Sequence, residues 1–152
     1  MKRRAHKILR CWLAIGISLV SISLFGGCKG ATQTPALITF NDLVSQPASY
    51  NNRAVTVEGY FFAGFEISAL SSGLVPSIYD PARLTPVQPL IWITGDLGQS
   101  VYQNLQQQSD TPSGYPEKFG HIRLTGLFQQ GKFGHLDAYN FQISVTQATI
   151  LP

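Results

Sequence analysis

Residues Ala54–Phe62 read AVTVEGYFF, and their alternation decides how the rest of the chain is read. Val55, Val57, Gly59 and Phe61 fall on one side, and Thr56, Glu58, Tyr60 and Phe62 on the other. A period of two in a run rich in β-branched and aromatic residues predicts a strand with one buried face. Gly64 predicts a bend or bulge at its end, because glycine tolerates the backbone angles that coiling a strand requires. Phe65–Leu70 (FEISAL) predicts a second strand, with Phe65, Ile67 and Ala69 on one face.

Three more strands follow the same logic. Leu90–Thr94 (LIWIT) is a short buried run. His121–Phe128 (HIRLTGLF) sets Ile122 and Leu124 against His121, Arg123 and Thr125, and Phe141–Thr146 (FQISVT) alternates most cleanly. Ahead of them, Phe40–Val44 (FNDLV) predicts a short helix capped by Asn41 and stopped at Gln46–Pro47. A turn is predicted at Ser49–Arg53. Ser71–Pro89, with Pro76, Pro81, Pro86 and Pro89, predicts a loop. Leu97–Gln108 (LGQSVYQNLQQQ) predicts a helix between strands three and four, followed by turn-rich sequence. The sum is a mainly β domain: a small five-stranded coiled barrel with a short N-terminal helix and a helix between strands three and four, where an OB-fold carries one.

The first 27 residues are of a different kind. Met1–Arg10 holds five basic residues, and Cys11–Phe25 (CWLAIGISLVSISLF) is apolar. That run fits a signal peptide and is short for a permanent transmembrane helix, which needs about 20 apolar residues. Leu24-Phe25-Gly26-Gly27-Cys28 then resembles the bacterial lipobox, in which two small residues precede a cysteine that receives diacylglycerol. Phe25 stands where Leu is usual. The expectation is a lipoprotein signal peptide over 1–27, cleavage between Gly27 and Cys28, and lipidation of Cys28. A flexible tether over 28–36 and one domain over 37–152 would follow.

Charge and cysteine content narrow the function. The 152-residue chain has a net charge of +3, but from Cys28 onward six basic residues face eight acidic ones, a net of −2. A slightly acidic domain has no electrostatic reason to seek phosphate backbones, so nucleic acid is not the expected partner. Cys11 would leave with the leader and Cys28 would carry lipid, so no disulfide would hold the domain.

The phrase FNDLVSQPASYNN leading into RAVTVEGYFF resembles the opening of small exported bacterial OB-fold proteins, whose pattern runs DL…NP..Y.GK.V.V.G. GFEISAL, IWIT and GKFGHLDAY resemble a group of exported proteins and lipoproteins with no assigned activity. The likeness spans most of Phe40–Leu151. Asn52 stands where Gly is usual, and Asp137 follows GHL where Gly is common. OB-fold relatives bind oligonucleotides, oligosaccharides or proteins, so the resemblance does not choose among them.

Catalytic patterns are sparse. Lys118 and Lys132 each open a KFGH phrase, but a spacing of fourteen residues is below the periods of structural repeats, about 20 or more. His121, His135 and Asp137 were weighed as metal ligands. With a turn at Gln130–Lys132, His121 would face Phe141 and His135 would face Leu127, roughly 20 Å apart, too far for one ion. No G-x-S-x-G motif or phosphate-binding glycine loop occurs, and no cofactor is implied. Glu58 and Glu66 are the one conceivable acid–base pair.

A binding surface is the stronger expectation. OB-folds recognise ligands on strands two and three and the loops beside them, and Glu66, Ser68, Trp92 and His135 would supply that surface, with Tyr79 nearby. The expected function is a lipid-anchored, extracytoplasmic cell-envelope binding or scaffold module without catalysis. It would contact the membrane through Cys28, and an envelope protein or saccharide through its domain. The outer membrane is the expected destination in a Gram-negative host. The alternatives are an envelope polymer hydrolase using paired carboxylates and a single-stranded nucleic-acid-binding OB-fold.

Overall fold

Thr39, not Asn41, starts the first helix. Its hydroxyl accepts from the Asp42 backbone N–H at 3.1 Å, so Phe40 already lies inside α1, Phe40–Ser45. The cap matters because the first N–H groups of a helix have no partner within it. α1 ends at Gln46, yet the chain does not pass into a plain turn. Pro47 opens a second short helix, α2 (Pro47–Tyr50), in the first-turn position where a missing N–H costs nothing.

The computed structural model describes residues 35–108 and 114–152, which belong to the unit Thr32–Pro152. Its strands are β1 (Leu37–Ile38), β2 (Arg53–Gly64), β3 (Ile67–Ser71), β4 (Leu74–Pro76), β5 (Leu84–Pro86), β6 (Ile91–Thr94), β7 (Gln106–Gln108), β8 (Glu117–Phe133) and β9 (Tyr139–Ile150). A third helix, α3 (Gln99–Asn104), lies between β6 and β7. Signal cleavage at Gly27 and lipidation at Cys28 fall outside the described residues.

Seven strands form one mixed sheet in the order β1-β2-β3-β6-β9-β8-β7, and β2 also pairs with β8. That extra pairing closes a hydrogen-bonded ring of five strands: β2, β3, β6, β9 and β8. All its pairings are antiparallel except β6 with β9, which is parallel. The five strands expected from sequence are the five of the ring, and the expected helix falls between the third and fourth of them. β1 and β7 are short additions on its flanks.

Side-chain alternation holds where the sequence predicted it. Val55, Val57, Phe61, Ile91, Ile93, Ile122, Leu124, Phe128 and Ile143 all belong to one buried core cluster, which Phe40 and Leu43 of α1 and Val101 of α3 join. No cysteine lies among the described residues, so burial of this kind, about 1.5–3 kcal/mol per large side chain, holds the domain. Two positions on the outward side of β2 are nevertheless buried. Thr56 shares a hydrogen bond of 2.9 Å with Thr125 across the strands, and Phe62 stacks on Phe119.

Four expectations are corrected. Phe65 is not in the second strand: Gly64 pairs with Ile67, so Phe65 and Glu66 form a two-residue hairpin turn. Glu66 takes the left-handed conformation there (φ 57°), and Phe65 is 55% exposed. Ser71–Pro89 is not a plain loop, because β4 and β5 pair as a small separate hairpin. The prolines at 76 and 86 sit at the ends of these strands, where a missing N–H is tolerated. The helix expected over Leu97–Gln108 spans Gln99–Asn104, and the last three glutamines of that stretch become β7 along β8. The last turn lies at Gly134–Ala138 rather than Gln130–Lys132, since β8 runs on to pair Phe133 with Tyr139.

Gly126 controls the ring's curvature. The β8–β9 register shifts between Thr125 and Gly126, while the β2–β8 register runs through unbroken. A Cβ at Gly126 would collide with the Ser144 carbonyl oxygen and come within 2.8 Å of Ile143 Cγ2. At Gly73 an added Cβ would meet only Val87 Cγ2, at 4.0 Å. Gly126→Ala is therefore expected to destabilise the domain by about 2–3 kcal/mol, and Gly73→Ala to change stability by less than about 1 kcal/mol. Urea unfolding midpoints of the two variants check this; equal midpoints would refute it.

Candidate functional site

Of Glu66, Ser68, Trp92 and His135, expected as a binding surface, Glu66 meets His135, while Ser68 alternates with the core residue Leu70 and so lies on the opposite side of β3 from the row that holds Trp92. Ala69 of β3 pairs with Trp92 of β6, Trp92 with Gln142 of β9, and Gln142 with Gln129 of β8, so one row crosses four strands. Ile91 and Ile93 are buried in the core on either side of Trp92. Strand alternation therefore sets the indole on the outward side. Trp92 is half-buried, being neither core nor fully open.

What covers Trp92 is the β8–β9 turn. Trp92 and Tyr139 lie with ring centroids 5.0 Å apart, tilted by 52°. Gly134 sits directly against both: a Cβ there would be 2.6 Å from Tyr139 Cδ2 and 2.8 Å from Trp92 Cδ2. Its φ of +70° is also a conformation that favours glycine. Burial pushes the Tyr139 phenol above its ordinary pKa. The turn then carries His135 across to the β2–β3 hairpin, where its Nε2 lies 3.3 Å from Glu66 Oε2. Two turns far apart in sequence thus meet at the edge of one face. Both partners are well exposed, so this contact marks geometry more than it supplies stability.

The rest of the face is polar and neutral. Gln142 Nε2 lies 3.4 Å from Gln129 Oε1 and 3.5 Å from Ser144 Oγ, whereas Ser68, on the other side of β3, donates its Oγ–H to the Ile93 carbonyl at 3.0 Å. An aromatic surface bordered by amides and hydroxyls suits recognition of a ligand by stacking and hydrogen bonding. Sequence reasoning missed Gly134 and Tyr139. Both stand in the GKFGHLDAY phrase, but their role depends on a turn that the alternation pattern placed four residues too early.

Other pairings weighed from sequence do not form. Glu58 accepts from Arg123 Nε at 2.8 Å on the β2–β8 surface, whereas Glu66 meets His135. Six residues of β2 separate Glu58 from Gly64, about 20 Å of strand path. His121 does not face Phe141, which pairs with Gln130. Its carbonyl accepts from Leu151 N at 2.8 Å, and its ring stacks on Tyr60. His135 does not face Leu127, whose partner is Ser144. Among the described residues, no three His, Cys, Asp or Glu side chains gather as potential metal ligands.

Tyr79 lies away from this face. It is 92% exposed in the β4–β5 hairpin loop beside Ile78, and it borders a second cavity that contains Arg83 and Glu117. These two form an ion pair, and Gln108 Nε2 donates to the same Glu117 oxygen at 2.6 Å. Gln108 also exchanges two hydrogen bonds with the Leu84 backbone, which fastens the hairpin to the main sheet.

Gly134 offers a direct test of the cover over Trp92. In a Trp12→Phe background, where Trp92 is the only tryptophan, Gly134→Ala is expected to lift the turn. Trp92 emission should shift to the red and acrylamide quenching should rise, with the ring itself still folded. Unchanged emission and quenching would show that the turn does not cover the indole. In comparisons with protein families, curated proteins and solved structures, no match to this chain was found.

Proposed function

We propose that this chain is a lipid-anchored cell-envelope binding or scaffold module without catalysis, whose ligand, an envelope protein or a saccharide, meets the face around Trp92. The observation that carries this reading is the half-buried indole on the outward side of the ring, between the Glu66–His135 contact and the Gln142–Gln129 row. In this reading the five-strand ring is a small OB-like barrel. The strand order supports it: numbered within the ring, the strands run one-two-three-five-four-one, with the single parallel pair between three and five. The β2–β3 and β8–β9 turns then flank the surface on which OB-folds hold ligands.

Anchoring is the other half of the proposal. Diacylglycerol on Cys28 would supply the membrane affinity, at about 0.8 kcal/mol for each buried CH₂, with more than one chain needed for stable retention. In a host with two membranes the outer one is the proposed destination, since Lys29 follows the cysteine instead of the Asp that holds many lipoproteins at the inner membrane. Among the described residues, no helix is long and apolar enough to cross a membrane.

Two experiments test this. A photo-reactive residue placed at Gln142 in cells should crosslink a reproducible envelope protein or glycan, and Trp92→Ala should remove the product. Recovery of nothing beyond a matched lipoprotein control would sink the binding reading. Separately, the wild-type chain should take up radioactive palmitate, and Cys28→Ala should remain unlabelled and leave the membrane fraction once the leader is cleaved. An unlabelled wild type, or a cleaved Cys28→Ala chain that still sediments with membranes, would sink the anchor.

A further inference from the structure

A groove elsewhere on the domain shares none of the residues of the Trp92 face. It has a volume of about 620 Å³ and is bounded by Tyr60 of β2, His121 of β8, Leu74 and Leu84 of the β4–β5 hairpin, Asn104 of α3 and Gln106 of β7. That volume is within the ~300–1,000 Å³ typical of small-molecule sites. Tyr60 and His121 are cross-strand partners on the outward side of the ring, and their rings stack 4.9 Å apart with only 24° between planes. Each ring shields one face of the other, so the stacked pair offers its ring edges and outer faces for contact.

We propose that this groove is a ligand site for a short, neutral saccharide. None of its lining side chains is an Asp, Glu, Lys or Arg, so a phosphorylated or ionised ligand would find no opposite side-chain charge to pair with. A nucleic-acid strand needs a positively charged channel, and none borders the groove. A lipid tail needs a wholly apolar lining, which the amides and hydroxyls interrupt. The polar side-chain atoms of Tyr60, Ser72, Gln106 and His121 make no hydrogen bond with other described residues, and Asn104 uses only its Nδ2, to the Ser100 carbonyl. Neutral donors and acceptors without protein partners, gathered beside a stacked aromatic pair, match the alternating C–H faces and hydroxyl edges of a sugar ring. The groove is separate from the Trp92 face, and the inference stands whether or not that face binds anything.

Titrating the isotopically labelled full chain in detergent with chitotriose and with maltotriose, followed by amide NMR, tests the proposal. At least one trisaccharide should move the resonances of Gly73, Asn104, Gly120 and His121 at millimolar concentration or below. His121→Ala should weaken that binding about tenfold, and Trp92→Ala should leave it unchanged. Gly73→Leu adds bulk at the groove wall, where an added Cβ would meet only Val87 Cγ2 at 4.0 Å, and should weaken binding while the remaining spectrum stays that of the folded chain. Absence of shifts with both sugars, or full binding by Gly73→Leu, overturns the proposal. Shifts confined to residues around Trp92 and lost in Trp92→Ala also overturn it, while favouring the other face.

Discussion

A ring of five strands closes only if its strands coil steeply, and here the tightest point is the approach of β9 to β8 at Gly126. The Ser144 carbonyl oxygen and Ile143 Cγ2 occupy the space a side chain at 126 would need. The register shift on the β9 side of Gly126 turns the strand without breaking its pairing with Val55 of β2. Everything else follows from that passage. β8 can serve two neighbours along most of its length, β2 and β9 need not pair directly, and a single core forms inside the ring.

The same coil positions the Trp92 face and the groove. Because β8 runs past the end of its pairing with β2, its far end carries the Gly134–Ala138 turn back over β6, onto Trp92 and toward Glu66. Its near end lies beneath the β4–β5 hairpin and β7, where His121 and Tyr60 form the floor of the groove. One long strand therefore contributes to both surfaces, from opposite ends. The ion pair of Arg83 and Glu117, joined by Gln108, keeps the hairpin beside that groove.

Much of this architecture was legible in the residues. AVTVEGYFF, HIRLTGLF and FQISVT alternate because one side of each faces a single core, and that pattern survives any choice of partner strand. The β4–β5 hairpin was not legible: four prolines in nineteen residues read as a loop, and strands of three residues are too short to show a period. Phe65 was misplaced because an exposed aromatic in a two-residue turn extends the apparent alternation by one step. Of the expected face residues Glu66 and His135 do meet, but Ser68 falls on the core side of β3, one step out of phase with Trp92. The spatial link to Trp92, through Gly134 and Tyr139, depends on where β8 ends, and GKFG gave no alternation by which to place that end. Thr39 was overlooked as a cap because Asn41 is an equally good capping type two residues later, and only the hydrogen bond to Asp42 N distinguishes them.

The closure of β2 against β8 has a consequence for how the chain acquires its structure. The paired residues, from Arg53 with Phe128 to Ala63 with Lys118, lie more than roughly fifty residues apart in sequence. Loop-closure entropy opposes such contacts until most of the chain is present, and folds dominated by them form slowly. A chain that emerges from its N-terminus first can form the β2–β3 hairpin early, but it leaves Val55, Val57 and Phe61 facing water until β8 arrives. During that interval the first strand is an unpaired apolar edge, open to association with other chains. Vectorial synthesis thus sets a period of vulnerability that ends only when the second half of the domain has emerged.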